Sequence, residues 1–195
     1  MNEIVRIINR HNINGFEFPG GTDKAEGHSY DIFYSDHFDK YRNLEGNILE
    51  IGAQYGGSAL LWHDYLPKFK IIMADIYNQV HPTIIDKMHN DRYEFLLMDS
   101  FTNESIEFLK EKYSEGFDII VEDGPHTLES QIFALQEYPK LLKKGGILVI
   151  EDIQKFEYCD VLLSLELDFE YESLEVVDLR ENKDRYDDLL VVLKK

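Results

Sequence analysis

Four side chains in two short stretches of this sequence have the types and spacing to do chemistry together. VEDGPHTLES, residues 121–130, carries Asp123 and His126, and VIEDIQ, residues 149–154, carries Glu151 and Asp152. Each stretch begins in an apolar, β-rich run, so the acidic residues fall where strands end. If the two strands are neighbours they lie about 4.8 Å apart, and three carboxylates, Asp123, Glu151 and Asp152, meet at one sheet edge. Such a cluster repels itself unless a cation neutralises it. An all-oxygen set selects a hard divalent ion, Mg²⁺ first and otherwise Mn²⁺ or Ca²⁺, with water and substrate in the remaining positions. His126, three residues past Asp123 in a Gly-Pro turn, is close enough to face an oxygen held there. Neutral imidazole is a natural base near pH 7.

The elements that must hold these residues are legible as a repeat. Apolar runs at 47–51, 70–74, 95–98, 117–121 and 146–150 each end at a carboxylate, Glu50, Asp75, Asp99, Asp123 and Glu151, at intervals of 24 to 28 residues. Helix-period segments lie between them, the alternation of a parallel α/β sheet. The runs are apolar at nearly every position, so helices cover both faces. Gly57 and Ser58 open a helix with Leu60, Leu61 and Tyr65 inward, closed by Pro67. Thr102 or Asn103 caps the next, with Ile106, Leu109 and Tyr113 on one face. Residues 127–144 read as a helix carrying Leu128, Ile132, Leu135 and Leu142, interrupted at Pro139 and stopped by Lys143, Lys144 and Gly145. After a helix-like stretch at 161–165, the runs 171–179 and 189–193 flank the polar ENKDRYDD and read as an antiparallel hairpin. Ahead of the sheet, two helical patterns at 4–8 and 30–41 are joined by the Gly-rich GFEFPGGTDKAEGHS. With no repeat or second core in view, residues 1–195 read as one domain, a helical N-terminal segment over 1–45 and a core over 46–195.

Composition removes several partners. The formal net charge of −18 opposes a polyanion, so nucleic acid is excluded as substrate. No apolar stretch approaches the roughly 20 residues that span a bilayer. The N-terminal MNEIVRIINRHNING lacks a signal-peptide core. A cytoplasmic protein without membrane contact is expected. Cys159, the single cysteine, has no disulfide partner in the chain and no zinc-ligand neighbours, and reads as buried and inert. His11, His37, His63, His81 and His89 read as surface or packing residues.

A second constellation is a nucleotide-type turn. LEIGAQYGGS, residues 49–58, places Gly52, Gly56 and Gly57 between the first strand and its helix. Gln54 stands where a dinucleotide fingerprint has its second glycine, which disfavours a pyrophosphate and with it a nicotinamide oxidoreductase. Asp75, ending the second strand, can accept from ribose hydroxyls, and Asp99 ends the third; the ordinary alternative for both is capping the following helix. Gly52, Asp75 and Asp99 converge at the carboxyl ends of the strands.

These stretches together resemble a family, the metal-dependent sugar O-methyltransferases of antibiotic biosynthesis of the mycinamicin and macrocin type, with the cephalosporin methoxylation enzyme more distant. The likeness runs through GTDKAEGHSYDIFYSDHF (21–38), LEIGAQYGGSALLWHDYLP, EDGPHTLESQIFALQEYPKLLKKGGILVIEDI and the terminal RYDDLLVVLKK. It implies a Rossmann-like, doubly wound seven-strand sheet with the last strand antiparallel beside the fifth. It implies S-adenosylmethionine bound by Glu50, Gly52, Gly56, Gly57, Asp75, Asp99 and Ser100, with Thr22 and Tyr30 of GTDK-x-x-x-H-x-Y, together with Lys24 and His28, as a lid. Asp123, Glu151 and Asp152 would hold Mg²⁺, and His126, beside Asp123, would be the catalytic base. The implied acceptor is a hydroxyl of a small sugar-like molecule, a nucleotide sugar or a glycosylated metabolite; a phenol, a catechol or a phosphorylated metabolite is the alternative, and a non-catalytic cofactor-binding protein is the reading from another class. The chain departs from the family in having Pro125 where Ser is usual. It also lacks the long N-terminal extension that some members use for assembly, which leaves a homo-oligomer an open question.

Overall fold

The five apolar runs become five parallel strands: β1 (Gly46–Ile51), β2 (Phe69–Asp75), β3 (Tyr93–Leu97), β4 (Phe117–Glu122) and β5 (Leu142–Ile150). The computed structural model describes residues 1–15, 20–88 and 91–195. The expected hairpin is β6 (Ser173–Asp178) and β7 (Leu189–Lys194), paired antiparallel, with β7 also antiparallel to β5. The strand order is β3-β2-β1-β4-β5-β7-β6. Its direction reverses between β1 and β4, and beyond the carboxyl ends of those strands an open α/β sheet leaves its crevice.

Alternation along each strand assigns side chains to two cores. Ile48, Ile71, Val121 and Val149 pack on one face with Ile4, Tyr34 and Trp62, beneath α1 (Glu3–His11), α2 (Tyr30–Phe38), α3 (Gly57–Tyr65) and α4 (Pro82–Lys87). Leu49, Ile120 and Leu148 pack on the other with Leu109, Leu135 and Leu162, beneath α5 (Asn103–Lys112), α6 (Leu128–Glu137) and α7 (Phe156–Leu163). Both faces are covered, as strands without polar alternation require. Thr102, rather than Asn103, caps α5 by accepting from the Ser105 amide, and Thr127 caps α6 in the same way through Ser130. A four-residue helix, α8 (Arg180–Lys183), fills the hairpin connection.

One expectation is corrected. Lys143, Lys144 and Gly145 do not close a helix: α6 ends at Glu137, residues Tyr138–Leu141 form a 3₁₀ turn, and the three residues lie inside β5. Pro139 withholds an amide and ends the α-helical ladder, after which Lys143 pairs with Asp118 at 2.8 Å and the Gly145 amide donates to the Lys195 carbonyl. Cys159 is buried on α7 as expected. Among the described residues, no helix is long and apolar enough to cross a membrane. His11 and His63 both bind Asp64, His81 caps α4, and His37 packs on Phe33. His89 lies outside the described residues.

Candidate active site

The turns after β1 and β4 touch, and this contact sets the site. Gly52 has φ +97°, and a Cβ there would lie 1.8 Å from the Asp123 carbonyl oxygen, so only glycine lets the two turns meet. Gly57 has the same role against the N-terminal segment, since a Cβ would stand 2.0 Å from the Gly21 carbonyl oxygen. Gly56 precedes α3 at φ +87°. Gly52→Ala is expected to cost about 2 kcal/mol or more from forbidden φ and backbone overlap. At roughly 2–4 °C per kcal/mol for a chain of this size, thermal unfolding followed by circular dichroism should show a fall of roughly 5 °C.

Two cavities open on these turns. The larger, of about 400 Å³, runs from Gly52 and Gln54 past Asp75, Ile76 and Tyr77 to Met98, Asp99, Ser100 and Phe101, and ends at Asp123 and His126. Its apolar walls and acidic flank suit a nucleoside. Asp75 caps no helix: its Oδ2 accepts from the Ala53 and Gln54 amides at 3.0 and 3.2 Å, and its Oδ1 accepts from Tyr77. Asp99 likewise accepts from the Phe101 amide and leaves α5 to Thr102. The Ser100 hydroxyl is buried and has no hydrogen-bond partner among the described residues. The smaller cavity, about 60 Å³, is walled by Gly21, Thr22, Asp23, Ser58 and Asp152, and shares Gly52, Gln54, Asp123 and His126 with the larger. Thr22 is therefore at the site.

Four of the expected cofactor contacts line neither cavity. Gly56 and Gly57 act through the backbone packing just described. Glu50 is fully buried and faces the α3 side, accepting from Trp62 Nε1 at 2.8 Å and meeting Lys24 at 3.1 Å. Tyr30 donates its hydroxyl to Asp152 Oδ1 at 2.5 Å, with the Asp187 carbonyl at 3.1 Å.

The acidic cluster is reorganised from the arrangement read in the sequence. Glu151 turns away from Asp152: its side chain continues the face of Val149, whereas Asp152, at φ 55°, has left the strand conformation. Its Oε2 meets Lys24 Nζ at 2.5 Å and its Oε1 accepts from the Tyr34 hydroxyl. Lys24 is completely buried and also reaches Asp123 Oδ2 at 3.0 Å. Burial works against its charge, but Asp123, Glu151 and Glu50 outweigh that and raise its pKa well above the usual lysine range. One ammonium cannot balance three carboxylates. Burial holds Glu50 and Glu151 above the ordinary carboxylate range, with Lys24 opposing.

The groups that face one another across the small cavity are Asp123, His126 and Asp152. Their ligand atoms all lie within 4.8 Å of one another, and among the described residues only Asp23, His28 and Asp152 make a second such set. His126 Nε2 stands 3.8 Å from Asp123 Oδ1 and 3.7 Å from Asp152 Oδ2, too far for a hydrogen bond to fix it. Its Nδ1 is buried without a hydrogen-bond partner among the described residues. Burial and the charge of Asp123 lift the Asp152 pKa to about 6, with His28 opposing. Gln54, His126 and Asp152 have φ of 41°, 55° and 55°. Three non-glycine residues in the left-handed region around one crevice is strain gathered where ligands bind. Beneath the turn, Glu122 Oε1 accepts from the Gly124 amide at 3.2 Å, and burial, then Asp123, pushes its pKa to about 8.

Sequence reasoning placed Lys24 and His28 only in a lid and missed Asp23, Tyr34, Glu122 and Asp188. His28 is buried between Asp188 Oδ1 at 3.0 Å on Nδ1 and Asp23 Oδ2 at 3.3 Å on Nε2. Carboxylates at both ring nitrogens require both to donate, which is the imidazolium. Burial opposes that charge, yet Asp188, Asp23 and Asp152 raise the pKa to about 10. The repeated carboxylates of RYDD were the one available signal.

A seven-strand sheet with the β7 insertion and a glycine turn at the switch point define a class I methyltransferase fold. A family model for the methyltransferase domain matches residues 49–153, and the chain belongs to that family. It is 29% identical over 136 residues to mycinamicin VI 2''-O-methyltransferase of Micromonospora griseorubida, covering 65% of this chain and 32% of that one. To 8-demethyl-8-alpha-L-rhamnosyl tetracenomycin-C 2'-O-methyltransferase of Streptomyces olivaceus it is 26% identical over 147 residues, covering 72% and 37%. The chain spans about a third of the length of these relatives. Among solved structures, the MycE methyltransferase of the mycinamycin biosynthetic pathway, in complex with Mg, SAH and mycinamycin VI, superposes with a TM-score of 0.71 at 19% identity, over 99% of this chain and 53% of that one. An O-methyltransferase from Bacillus cereus in complex with SAH gives 0.63 at 15% identity, over 99% and 89%.

Proposed function

We propose that residues 1–195 work as one S-adenosylmethionine-dependent O-methyltransferase domain, with 1–45 as its cap, that uses a divalent metal, Mg²⁺ first, to methylate a hydroxyl of a small sugar-like acceptor. The observation that carries this reading is that Asp123 and His126 of the Asp123–His126–Asp152 cluster also line the nucleoside-sized cavity. Asp75, Asp99 and Ser100 would hold the nucleoside, and Gly52 would admit the rest of the cofactor to the turn. The relatives named for sugar hydroxyls support the acceptor class.

The donor set fits a hard cation: Asp123 and Asp152 each present one oxygen to the shared cavity, and Lys24 and His28 leave the cluster short of positive charge. Asp123 and Asp152 would hold the ion. Glu151, with both oxygens engaged, is not proposed as a ligand. When bound, such an ion orients neighbouring hydroxyls and lowers their pKa. Transfer from a sulfonium is an in-line displacement: the acceptor oxygen bonds to the methyl carbon as the carbon–sulfur bond breaks, and alignment supplies much of the rate. His126 Nε2 takes the acceptor proton as that bond forms. The proton then rests on Nε2, 3.7 and 3.8 Å from the Asp152 and Asp123 carboxylates.

Calorimetric titration of S-adenosylmethionine into the protein, with and without Mg²⁺, tests the scheme. Micromolar cofactor binding is expected, together with Mg²⁺ uptake that is lost in Asp123→Asn. Absence of cofactor binding would sink the methyltransferase reading; cofactor binding with no metal uptake would leave a metal-free mechanism on His126. Comparing glycosides, nucleotide sugars and catechols as acceptors then separates the sugar reading from the phenolic one. Asp23, Asp123 and Asp152 around the smaller cavity weigh against a phosphorylated acceptor.

A further inference from the structure

The two aspartates at the centre of the site are each held by one oxygen only, and the holding groups come from one segment. Lys24 Nζ meets Asp123 at Oδ2, 3.0 Å away. Tyr30 donates to Asp152 at Oδ1, 2.5 Å, and His28 Nε2 stands 3.5 Å from that same oxygen. The opposite oxygens, Asp123 Oδ1 and Asp152 Oδ2, are those that face His126 Nε2. We propose that Lys24, His28 and Tyr30 form a positioning clamp, which takes one oxygen of each aspartate and thereby aims the other into the site.

The clamp is itself held from behind. Asp188, fully buried, accepts from His28 Nδ1 and from the Ser29 amide, which fixes the imidazole so that Nε2 points at Asp152 and Asp23. The Tyr30 ring stacks on the His28 ring with centroids 4.6 Å apart. A carboxylate without such a partner rotates freely about its terminal torsion, so both of its oxygens would sample the cavity. Reactive geometry has to be held far more tightly than that, to about half an ångström. Asp152 also lies at φ 55°, a backbone conformation that persists only where the surroundings determine it. An orienting partner behind a functional group is the usual means of fixing its direction. These three residues need touch neither cofactor nor acceptor.

The inference rests on the proposed function only for the purpose of the aimed oxygens, so its test includes a readout without metal or acceptor. Crystal structures of the metal-free wild type, Tyr30→Phe and the double variant His28→Gln/Tyr30→Phe are the primary measurement. Loss of the clamp should swing the Asp152 carboxylate, carrying Oδ2 more than about 1 Å from its place opposite His126, whereas an unmoved Asp152 in both variants overturns the proposal. Mn²⁺ titration, run well below the unfolding temperature of each variant, supplies the functional arm: the double variant should melt lower than wild type because it removes a buried cation from Asp188, and both variants should hold Mn²⁺ at least about tenfold more weakly, the scale of losing an orienting partner. Equal Mn²⁺ affinity would also overturn it. A wild type that takes up no Mn²⁺ would instead sink the metal reading, and the crystallographic comparison would still decide the clamp.

Discussion

Lys24→Met is expected to unfold at a temperature roughly 10 °C below the wild type. The side chain is completely buried and is the ammonium shared by Glu50, Asp123 and Glu151, at 3.1, 3.0 and 2.5 Å. Removing one partner of a buried ionic group leaves uncompensated charge and costs about 3–5 kcal/mol. That is a large part of the 5–15 kcal/mol or so that holds a typical domain together, and roughly 2–4 °C accompany each kcal/mol. Burial already raises the pKa of Glu50 and Glu151, with Lys24 restraining it. Without Lys24 both rise further, and a carboxylate with a raised folded pKa costs stability above its unfolded value and nothing below it. The deficit should therefore be greatest at neutral and alkaline pH and shrink as the pH falls towards the ordinary carboxylate range. Urea unfolding at two pH values measures both parts. A Lys24→Met protein as stable as wild type at pH 8 would mean that the carboxylates are neutralised by something other than Lys24.

His126→Ala should lower turnover by about 100-fold or more, the scale of general-base catalysis, while leaving S-adenosylmethionine affinity close to wild type. The imidazole stands where both cavities meet, and its Nδ1 has no hydrogen-bond partner among the described residues. A group that only lined the cofactor cavity would change affinity and turnover together; a base changes the chemical step. The backbone separates the roles further. His126 sits at φ 55°, a strained conformation that alanine does not relieve, so a small loss of stability should accompany the substitution. Single-turnover kinetics with an accepted glycoside, set beside calorimetry of the cofactor, distinguishes the outcomes. Unchanged turnover removes His126 from the mechanism.

The sheet could be read in the sequence because its information is local. Each βα unit repeats a strand, a turn and a helix within 24 to 28 residues, and the terminal hairpin announces itself by two apolar runs around a polar turn. Asp123, His126 and Asp152 were equally legible, since a strand's end fixes where the next residues stand. Glu151 shows the limit of that reasoning. In this structure Glu151 continues the side-chain alternation of β5, where Val149 packs on the face of Tyr34 and Trp62, and so meets Lys24 and the Tyr34 hydroxyl. Glu50 lies on the same side by the same count from Ile48. Lys143 to Gly145 misled because basic residues and glycine suit a helix end and a strand start alike, and Pro139 decides between them. The contacts that Lys24, His28 and Tyr30 make with the cluster were not legible; the sequence placed these residues only in a lid. Lys24 meets Asp123 and Glu151 across 99 and 127 residues of sequence, and no periodicity records a contact between a loop and a strand end that far apart.

The bond between His28 and Asp188 spans 160 residues, and this bears on the order in which the protein comes into being. Closing so long a loop has a high entropic cost, which only later contacts offset. Strands β1 to β5 and their helices can pack as synthesis proceeds, but Asp188 lies at the start of β7 and leaves the ribosome only after all of them. Until β7 slides between β5 and β6, the imidazole has no acceptor behind it. A chain folded only through β5 would therefore carry Asp123, His126 and Asp152 at its strand ends with His28 still lacking the acceptor that fixes its direction.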